Sequence, residues 1–385
     1  MTAAALSPDE PAGLLARLVE IDSVNPDLVP GGAGESAIAD FTSAWFADRG
    51  FEVHRLEERP GRPSVVGIHR GSGGGSSLML NGHLDTVTLA GYHGDPLRAE
   101  LRGNQLHGRG SYDMKSGIAA MMVAAERAAR RPHSGDILVA LVADEEYASA
   151  GTEEVLRHFT VDGAIVVEPS ELEVTIAHRG FVWFEVEIEG RAAHGSRPDL
   201  GIDAIAKAGG FLAGLDALAR ALASGPKHPV LGTGSVHAST IRGGEELSSY
   251  PARCAIGIER RTVPGETAET AEAELEGILR EVVRANPGVG YRVARGLERR
   301  PFDSPRDSAV VRTVLETVAE VTGRPAIERG EPFWTDCALL AEAGIPAVLF
   351  GVAGGGAHAA TEWVDLDSLK TVTTVLERTI GTFCA

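Results

Sequence analysis

The chain is predicted to be an α/β protein, a mostly parallel sheet covered by helices and interrupted by a smaller inserted α+β unit. Two changes of rhythm and one length predict it. Apolar, strand-like runs alternate with helical periodicity as far as residue 167, then give way near residue 176 to period-two alternation, and the first rhythm resumes after residue 297. At 385 residues the chain also exceeds the roughly 250–300 residues at which a single core stops growing.

Residues 8–21 read as a helix with Ser7 at the N-cap, Pro8 at N1 and Glu10 at N3, and with Leu14, Leu15 and Leu18 on one face. Residues 35–49 form a second helix presenting Phe41 and Trp45. Strands are expected at 51–56, 64–69 and 77–81, the last preceded by the flexible turn GSGGGSS. Helix 115–130, strand 136–143, helix 150–158 and strand 163–167 continue a βαβα series. In the insert, FVWFEVEIEG alternates with period two and IDAIAKAGGFLAGLDALARAL is a long helix. GSVHASTIRGGEE and ARCAIGIERR are successive strands, TAETAEAELEGILREVVRAN is a charged amphipathic helix, and GYRVARGLER closes the unit. That β-α-β-β-α-β order is ferredoxin-like. Helices 306–322, 335–343 and 366–382 and a strand at 346–350 complete the first domain, so the expected boundaries are 1–175 and 298–385 around an insert of 176–297.

The 36 basic and 54 acidic residues leave a net charge of −18. Such a field repels phosphate backbones and anionic lipid, which argues against nucleic-acid and membrane partners. Cys254, Cys337 and Cys384 are sparse and widely spaced, as expected of a reducing cytoplasm rather than a disulfide framework. The first residues lack a basic segment followed by an apolar one, and no apolar run approaches the roughly 20 residues that span a bilayer. A soluble protein is expected.

The chemistry-bearing residues stand just past apolar runs. His83 follows SLMLNG, Glu145 and Glu146 end ILVALVADEE, Glu168 ends AIVVEP, and His358 lies in GVAGGGAH after PAVLF. Asp113 sits in the glycine-punctuated GRGSYDMKSG. A largely parallel sheet collects its ligands in the crevice at the carboxyl ends of its strands, so these residues can converge. Two imidazoles and three or four carboxylates would suit a pair of divalent metals. His83 and Asp85, two apart on an extended segment, face the same way, so one can ligate while the other supports it. Each residue has an ordinary reading alone: Asp113 as a cap or Asx-turn, Glu145–Glu146 as a solvated loop, Glu168 as a loop acid, His358 as a surface histidine. The alternative for the paired glutamates is a division of labour, one ligating metal and the other taking a proton from water.

GHLDTV, GRGSYDMKSG, ADEEYAS, VVEPS and GGGAHAATEWV, in this order and spacing, resemble the motifs of the co-catalytic zinc amidohydrolases, the family of acetylornithine deacetylase, succinyl-diaminopimelate desuccinylase, aminoacylase and glutamate carboxypeptidase. The resemblance runs from about residue 14 to the C-terminus. It implies that His83 and Glu168 bind one metal, Glu146 and His358 the other, and that Asp113 bridges them. It further implies that Asp85 orients His83 and that Glu145 is the general base and later acid. Mixed imidazole and carboxylate ligands suit Zn²⁺, with Co²⁺ or Mn²⁺ as substitutes. A carboxylate at Glu168, where carbamoyl-cleaving relatives usually carry histidine, points to a deacylase or peptidase.

The same resemblance makes the insert a dimerisation (lid) domain. His194 in RAAHGSRPDL would stabilise the oxyanion in the partner chain's site of a homodimer, where a plain reading is a capping or surface group. Arg261 in IERRTVPGET would grip a substrate carboxylate, with Arg179 a second candidate and Arg260, on the opposite face, an ordinary surface or interface charge. Thr335 and Asp336 in TDCALL match a further active-site segment, whereas Ser248 and Trp334 depart from the family pattern. The expected function is hydrolysis of the amide of an N-acyl amino acid, with a dipeptidase or carboxypeptidase acting on short peptides as the alternative. A non-catalytic metal-binding scaffold is the reading from another class.

Overall fold

The computed structural model describes residues 6–385, and the chain packs as two compact units. Unit one contains residues up to 176, then 304–329 and 335–385; unit two contains 177–303 and the short segment 330–334.

Unit one begins with α1 (Pro11–Val19), α2 (Ser36–Ala47), β1 (Glu52–Leu56), β2 (Ser64–His69) and β3 (Leu78–His83). It continues with α3 (Lys115–Ala129), β4 (Ile137–Val142), α4 (Ala150–His158), β5 (Gly163–Val166) and β6 (Val174–His178), the last of which runs on into unit two. The start of α1 differs from expectation. Glu10 is its N-cap and Pro11 its first residue, while Ser7 to Glu10 form a turn closed by Glu10 N donating to Ser7 O at 3.1 Å. Two prolines compete here. Pro11 could not lie inside a helix begun at Pro8 without losing an N–H bond and clashing with the preceding turn, so the helix begins at Pro11.

Unit two supplies β7 (Gly180–Glu189), α5 (Ala204–Ser224), β8 (Ser235–Gly243), β9 (Arg253–Thr262), α6 (Ala268–Ala285) and β10 (Gly290–Arg299). Unit one then closes with α7 (Ala309–Thr322), α8 (Cys337–Glu342), β11 (Ala347–Leu349) and α9 (Leu366–Phe383).

Seven of the nine strands of the main sheet lie in the order β1-β2-β4-β3-β5-β11-β6. Its four central strands, β4, β3, β5 and β11, run parallel, with Leu80 opposite both Val139 and Ile165 and Val348 opposite Ile165. β2 on one side and β6 on the other run antiparallel to them, and β1 pairs antiparallel with β2. Strands buried on both faces read as continuous apolar runs, which is why LMLNGH and ILVALV are wholly buried. Leu80, Val139 and Ile165 share one core with α1, α2, α3, α7 and α9, and α4 and α8 pack together on the sheet elsewhere. α3 approaches the sheet closely at Gly117, where a Cβ would stand 2.2 Å from Val167 O. That contact seats the first turn of α3 against the end of β5.

In unit two the sheet order is β8-β9-β7-β10, all antiparallel, the ferredoxin-like arrangement expected from the element order. Val182, Phe184, Val186 and Ile188 of β7 face a core shared with α5 and α6, so the period-two pattern is one buried and one open face. Arg260 corrects the reading made from sequence. It is 2% exposed, and its guanidinium takes Glu266 and Glu274 as partners, tying β9 to α6. Alternation placed it on the face opposite Arg261, but that face is the one the helices cover.

Candidate metal centre

The carboxyl ends of the four central parallel strands carry the predicted ligands. His83 is the last residue of β3, Glu145 and Glu146 follow β4, Glu168 follows β5, and His358 lies in the loop after β11. Asp113 directly precedes the N-terminal turn of α3, across the Gly117 contact from Glu168. The side chains meet in two groups that share Asp113. In one, His83 Nε2 lies 3.2 Å from Asp113 Oδ1 and 3.3 Å from Glu168 Oε1. In the other, His358 Nε2 lies 3.4 Å from Asp113 Oδ2 and 3.1 Å from Glu146 Oε2. In each group one donor atom from every residue lies within 4.8 Å of the others. The two oxygens of Asp113 thus point one into each group, as a bridging carboxylate requires. Glu145 belongs to neither.

The electrostatics of the cluster favour cations. Burial opposes a charge on His83, yet Glu168, Asp113 and Asp85 outweigh it and hold the imidazole well above its ordinary value. Hydrogen bonds to Asp113 and Glu146 raise His358 to about 10. Burial pushes Glu168 up to about 7, with His83 acting against it and Asp113 adding to it. A pocket that drives its imidazoles to take up protons is short of positive charge, and hard carboxylate and imidazole donors suit a divalent ion. The residues present therefore fit a metal pair.

Asp85 differs in detail from expectation. His83 Nδ1 is 2.9 Å from the carbonyl oxygen of Asp85, whereas the nearest Asp85 carboxylate oxygen is 3.6 Å away. That fully buried carboxylate instead accepts the backbone N–H groups of Glu145 and Glu146, both at 3.2 Å, and Asn25 Nδ2 at 2.7 Å. The residue meets His83 with its main chain and the paired-glutamate turn with its side chain.

His194 and Arg261 lie in unit two. His194 is exposed, and its Nδ1 accepts from Ser196 N at 3.2 Å and lies 2.8 Å from Ser196 Oγ. Arg261 is half-buried, with Nε donating to Glu259 Oε1 at 2.7 Å and the guanidinium over the Phe181 ring. Arg179 donates to Leu231 O at 2.9 Å. Thr335, in unit one, is buried and its hydroxyl accepts from the N–H of Cys337, the first residue of α8, at 3.3 Å. Trp334 donates from its indole to Arg300 O at 3.1 Å.

The sequence signature of the Peptidase family M20/M25/M40 matches residues 79–382, a span that includes every one of these metal-site residues. The chain belongs to this family. It is 30% identical over 365 residues to an acetylornithine deacetylase of Myxococcus xanthus, covering 90% of this chain and 92% of that one. It is 29% identical over 385 residues to a succinyl-diaminopimelate desuccinylase of Wolinella succinogenes, covering 96% and 98%. The aminopeptidase PepT of Bacillus cereus shares its fold, with a TM-score of 0.81 at 18% identity over 99% of this chain and 100% of that one. As a member of the M20 family, the chain is a hydrolase.

Several residues of this M20 site carried no signal in the sequence. Asn25 Nδ2 bonds both Asp85 and Asp144, and Arg62 donates to Asp144 at 2.9 Å while holding Glu35 through two bonds of 2.7 and 2.8 Å. Asp144 has φ 69°, a left-handed conformation that begins the turn carrying Glu145 and Glu146. Glu362, only 1% exposed, accepts from the backbone of Asp113. Its place in the GGGAHAATEWV motif was the one available hint.

Proposed function

We propose that this M20 protein hydrolyses the amide bond of an N-acyl amino acid, with acetylornithine-deacetylase-like or desuccinylase-like activity. One arrangement carries the reading: two donor groups sharing Asp113, with Glu145, the chain neighbour of Glu146, in neither. A bound metal pair, Zn²⁺ with Co²⁺ or Mn²⁺ as substitutes, supplies an acidified water and a polarised acyl carbonyl. His83 and Glu168 would hold one ion, Glu146 and His358 the other, and Asp113 would serve both. Glu145 accepts the proton of the attacking water at a carboxylate oxygen and delivers it to the departing nitrogen. Burial, against the opposing charge of His83 and helped by those of Glu168, Asp336 and Glu146, raises its proton affinity well above a free glutamate's, which suits a group that must take up and return a proton.

Arg261 faces the amino acid's carboxylate and His194 donates from Nε2 to the developing oxyanion of a partner chain, so the working form is a homodimer paired through unit two. The exposed edge strand β8 is the surface offered for that pairing. The site is cytoplasmic in this reading, consistent with three buried free cysteines. Among the described residues no helix is long and apolar enough to cross a membrane.

The deciding experiment is a hydrolysis screen of N-acetyl, N-succinyl and other N-acyl amino acids beside dipeptides, with metal-loaded protein and a chelated control. Chelator-sensitive turnover confined to acyl amino acids supports the deacylase. Turnover of dipeptides alone moves the assignment to the peptidase alternative, and no turnover on the whole panel by protein with both ions bound revives the non-catalytic scaffold.

A further inference from the structure

Of the proposed metal ligands, His358 has the weakest local support. His83 ends a strand, Glu168 follows one closely, and Asp113 abuts a helix, whereas His358 lies in a turn with φ 59° and its side chain is 54% exposed. Its segment is held by cross-links to two distant loops. Ala360 O accepts from His93 N at 2.7 Å, and Glu362 O accepts from Gly108 N and from the Tyr92 hydroxyl, both at 3.3 Å.

At the centre of these ties is a buried ion pair. Arg109, 2% exposed, donates from Nη1 to Glu362 Oε2 at 2.9 Å, from Nη2 to Ala359 O at 3.0 Å and from Nε to Thr88 O at 3.1 Å. Glu362 Oε2 also accepts from Gly110 N at 2.9 Å, and its Oε1 accepts from Tyr112 N and Asp113 N, both at 3.0 Å. One guanidinium therefore grips the peptide beside His358, and its carboxylate partner grips the peptide of Asp113. These are the two residues whose separation defines the Asp113–Glu146–His358 group. Neither Arg109 nor Glu362 bonds His83 or Glu168, whose places follow from the sheet.

We propose that the Arg109–Glu362 pair is a positioning device that acts mainly on one metal position, the Asp113–Glu146–His358 group, because Arg109 steadies the His358 loop, while the other group shares only Asp113 with it and keeps His83 and Glu168 on the sheet. The inference rests on the dimetal reading above. The physical reason is geometric: an ion is held by ligand atoms at near-fixed distances, so a loop free to move by an ångström loses affinity, whereas a ligand on a strand end does not. Residues that orient metal ligands typically change metal affinity by about 10–100-fold when replaced. Arg109 is also the better residue for the task than lysine, because a planar fork reaches three acceptors at once and an ammonium does not.

The test is calorimetric titration of chelator-treated protein with Zn²⁺, paired with Co²⁺ absorption spectra, on the wild type, Arg109→Met, Arg109→Lys and the double variant Arg109→Met/Glu362→Gln. The wild type should bind two ions. Arg109→Met should keep the first with affinity within a few-fold and bind the second about 10–100-fold more weakly, Arg109→Lys falling between. Turnover should drop with occupancy of the second position and return at excess metal. The double variant buries no uncompensated charge, so its thermal midpoint should recover towards wild type, but its second affinity should not. That separates positioning from mere stability, and it carries the test should Arg109→Met fail to fold. Wild-type affinity for both ions in the folded double variant would overturn the inference, as would equal loss at both positions. Fewer than two ions on the wild type would instead sink the dimetal reading, and the inference with it.

Discussion

Replacing Arg62 by methionine tests the buried ion network under the Glu145–Glu146 turn. Arg62 is 6% exposed and makes two bonds to Glu35, which is wholly buried, one to Asp144, and one to Asp27. Methionine keeps the length of the stem but leaves Glu35 and Asp144 without their counter-charge. Breaking a buried pair from one side costs about 3–5 kcal/mol, because a charge remains buried and uncompensated. For a unit of this size, each kcal/mol lowers the midpoint by roughly 2–4 °C, so the melting of the variant should fall by roughly 6–20 °C.

The loss should depend on pH in a defined sense. Burial already raises the pKa of Glu35, against the bonds from Arg62, and removing Arg62 raises it further. A carboxyl whose folded pKa lies above its unfolded value contributes most below the unfolded value and loses that contribution as pH rises through the folded one. The gap between variant and wild type should therefore widen from pH 5 to pH 8, measured by circular dichroism melts at several pH values. Arg62→Met/Glu35→Gln, which removes both charges, should recover much of the midpoint. A shift under 2 °C, or one equal at both pH values, would mean that water already solvates these carboxylates and that the network is not the dry one described.

Glu145→Gln should retain wild-type metal content and lose about 10²–10⁴-fold in kcat, the range for a positioned acid–base group; elemental analysis with steady-state rates checks it, and a variant keeping a tenth of the rate would unseat Glu145. Arg261→Ala should cost free-acid substrates about 1.5–3 kcal/mol in kcat/KM and their amides far less; equal losses would leave Arg261 only its contacts with Glu259 and Phe181. His194→Ala and Glu145→Gln should each be nearly inactive as homodimers, yet regain up to half the wild-type rate per heterodimer after subunit exchange, because one site then has both groups. Heterodimers that stay dead would remove His194 from a role in the partner's site. The three cysteines are buried, and burial pushes the Cys384 thiol up to about 12. Native protein at pH 8 should thus give almost no reaction with a disulfide exchange reagent and three equivalents when unfolded; fast native labelling would contradict the packing around them.

What could be read along the chain was local. Periodicity separated ILVALV, buried on both faces, from FVWFEVEIEG, buried on one, and from that came the two-unit α/β plan and the β-α-β-β-α-β insert. Ligand types just past apolar runs marked the strand ends, because a parallel sheet brings such ends together whatever the intervening loops do. The packing decided the rest. Whether Arg260 faced water or helices could not follow from alternation, which names two faces without saying which is covered. Pro8 was read as opening α1, and the structure begins it at Pro11. Spacing put Asp85 beside His83, but only folding turned the carbonyl to the ring and the carboxylate to the backbone of the next strand's glutamates. Arg109 and Glu362, 253 positions apart, each lie in a quoted motif, but nothing in the sequence said that they pair. A long-range polar contact is specified by where two loops meet, and no local pattern of residues encodes that meeting.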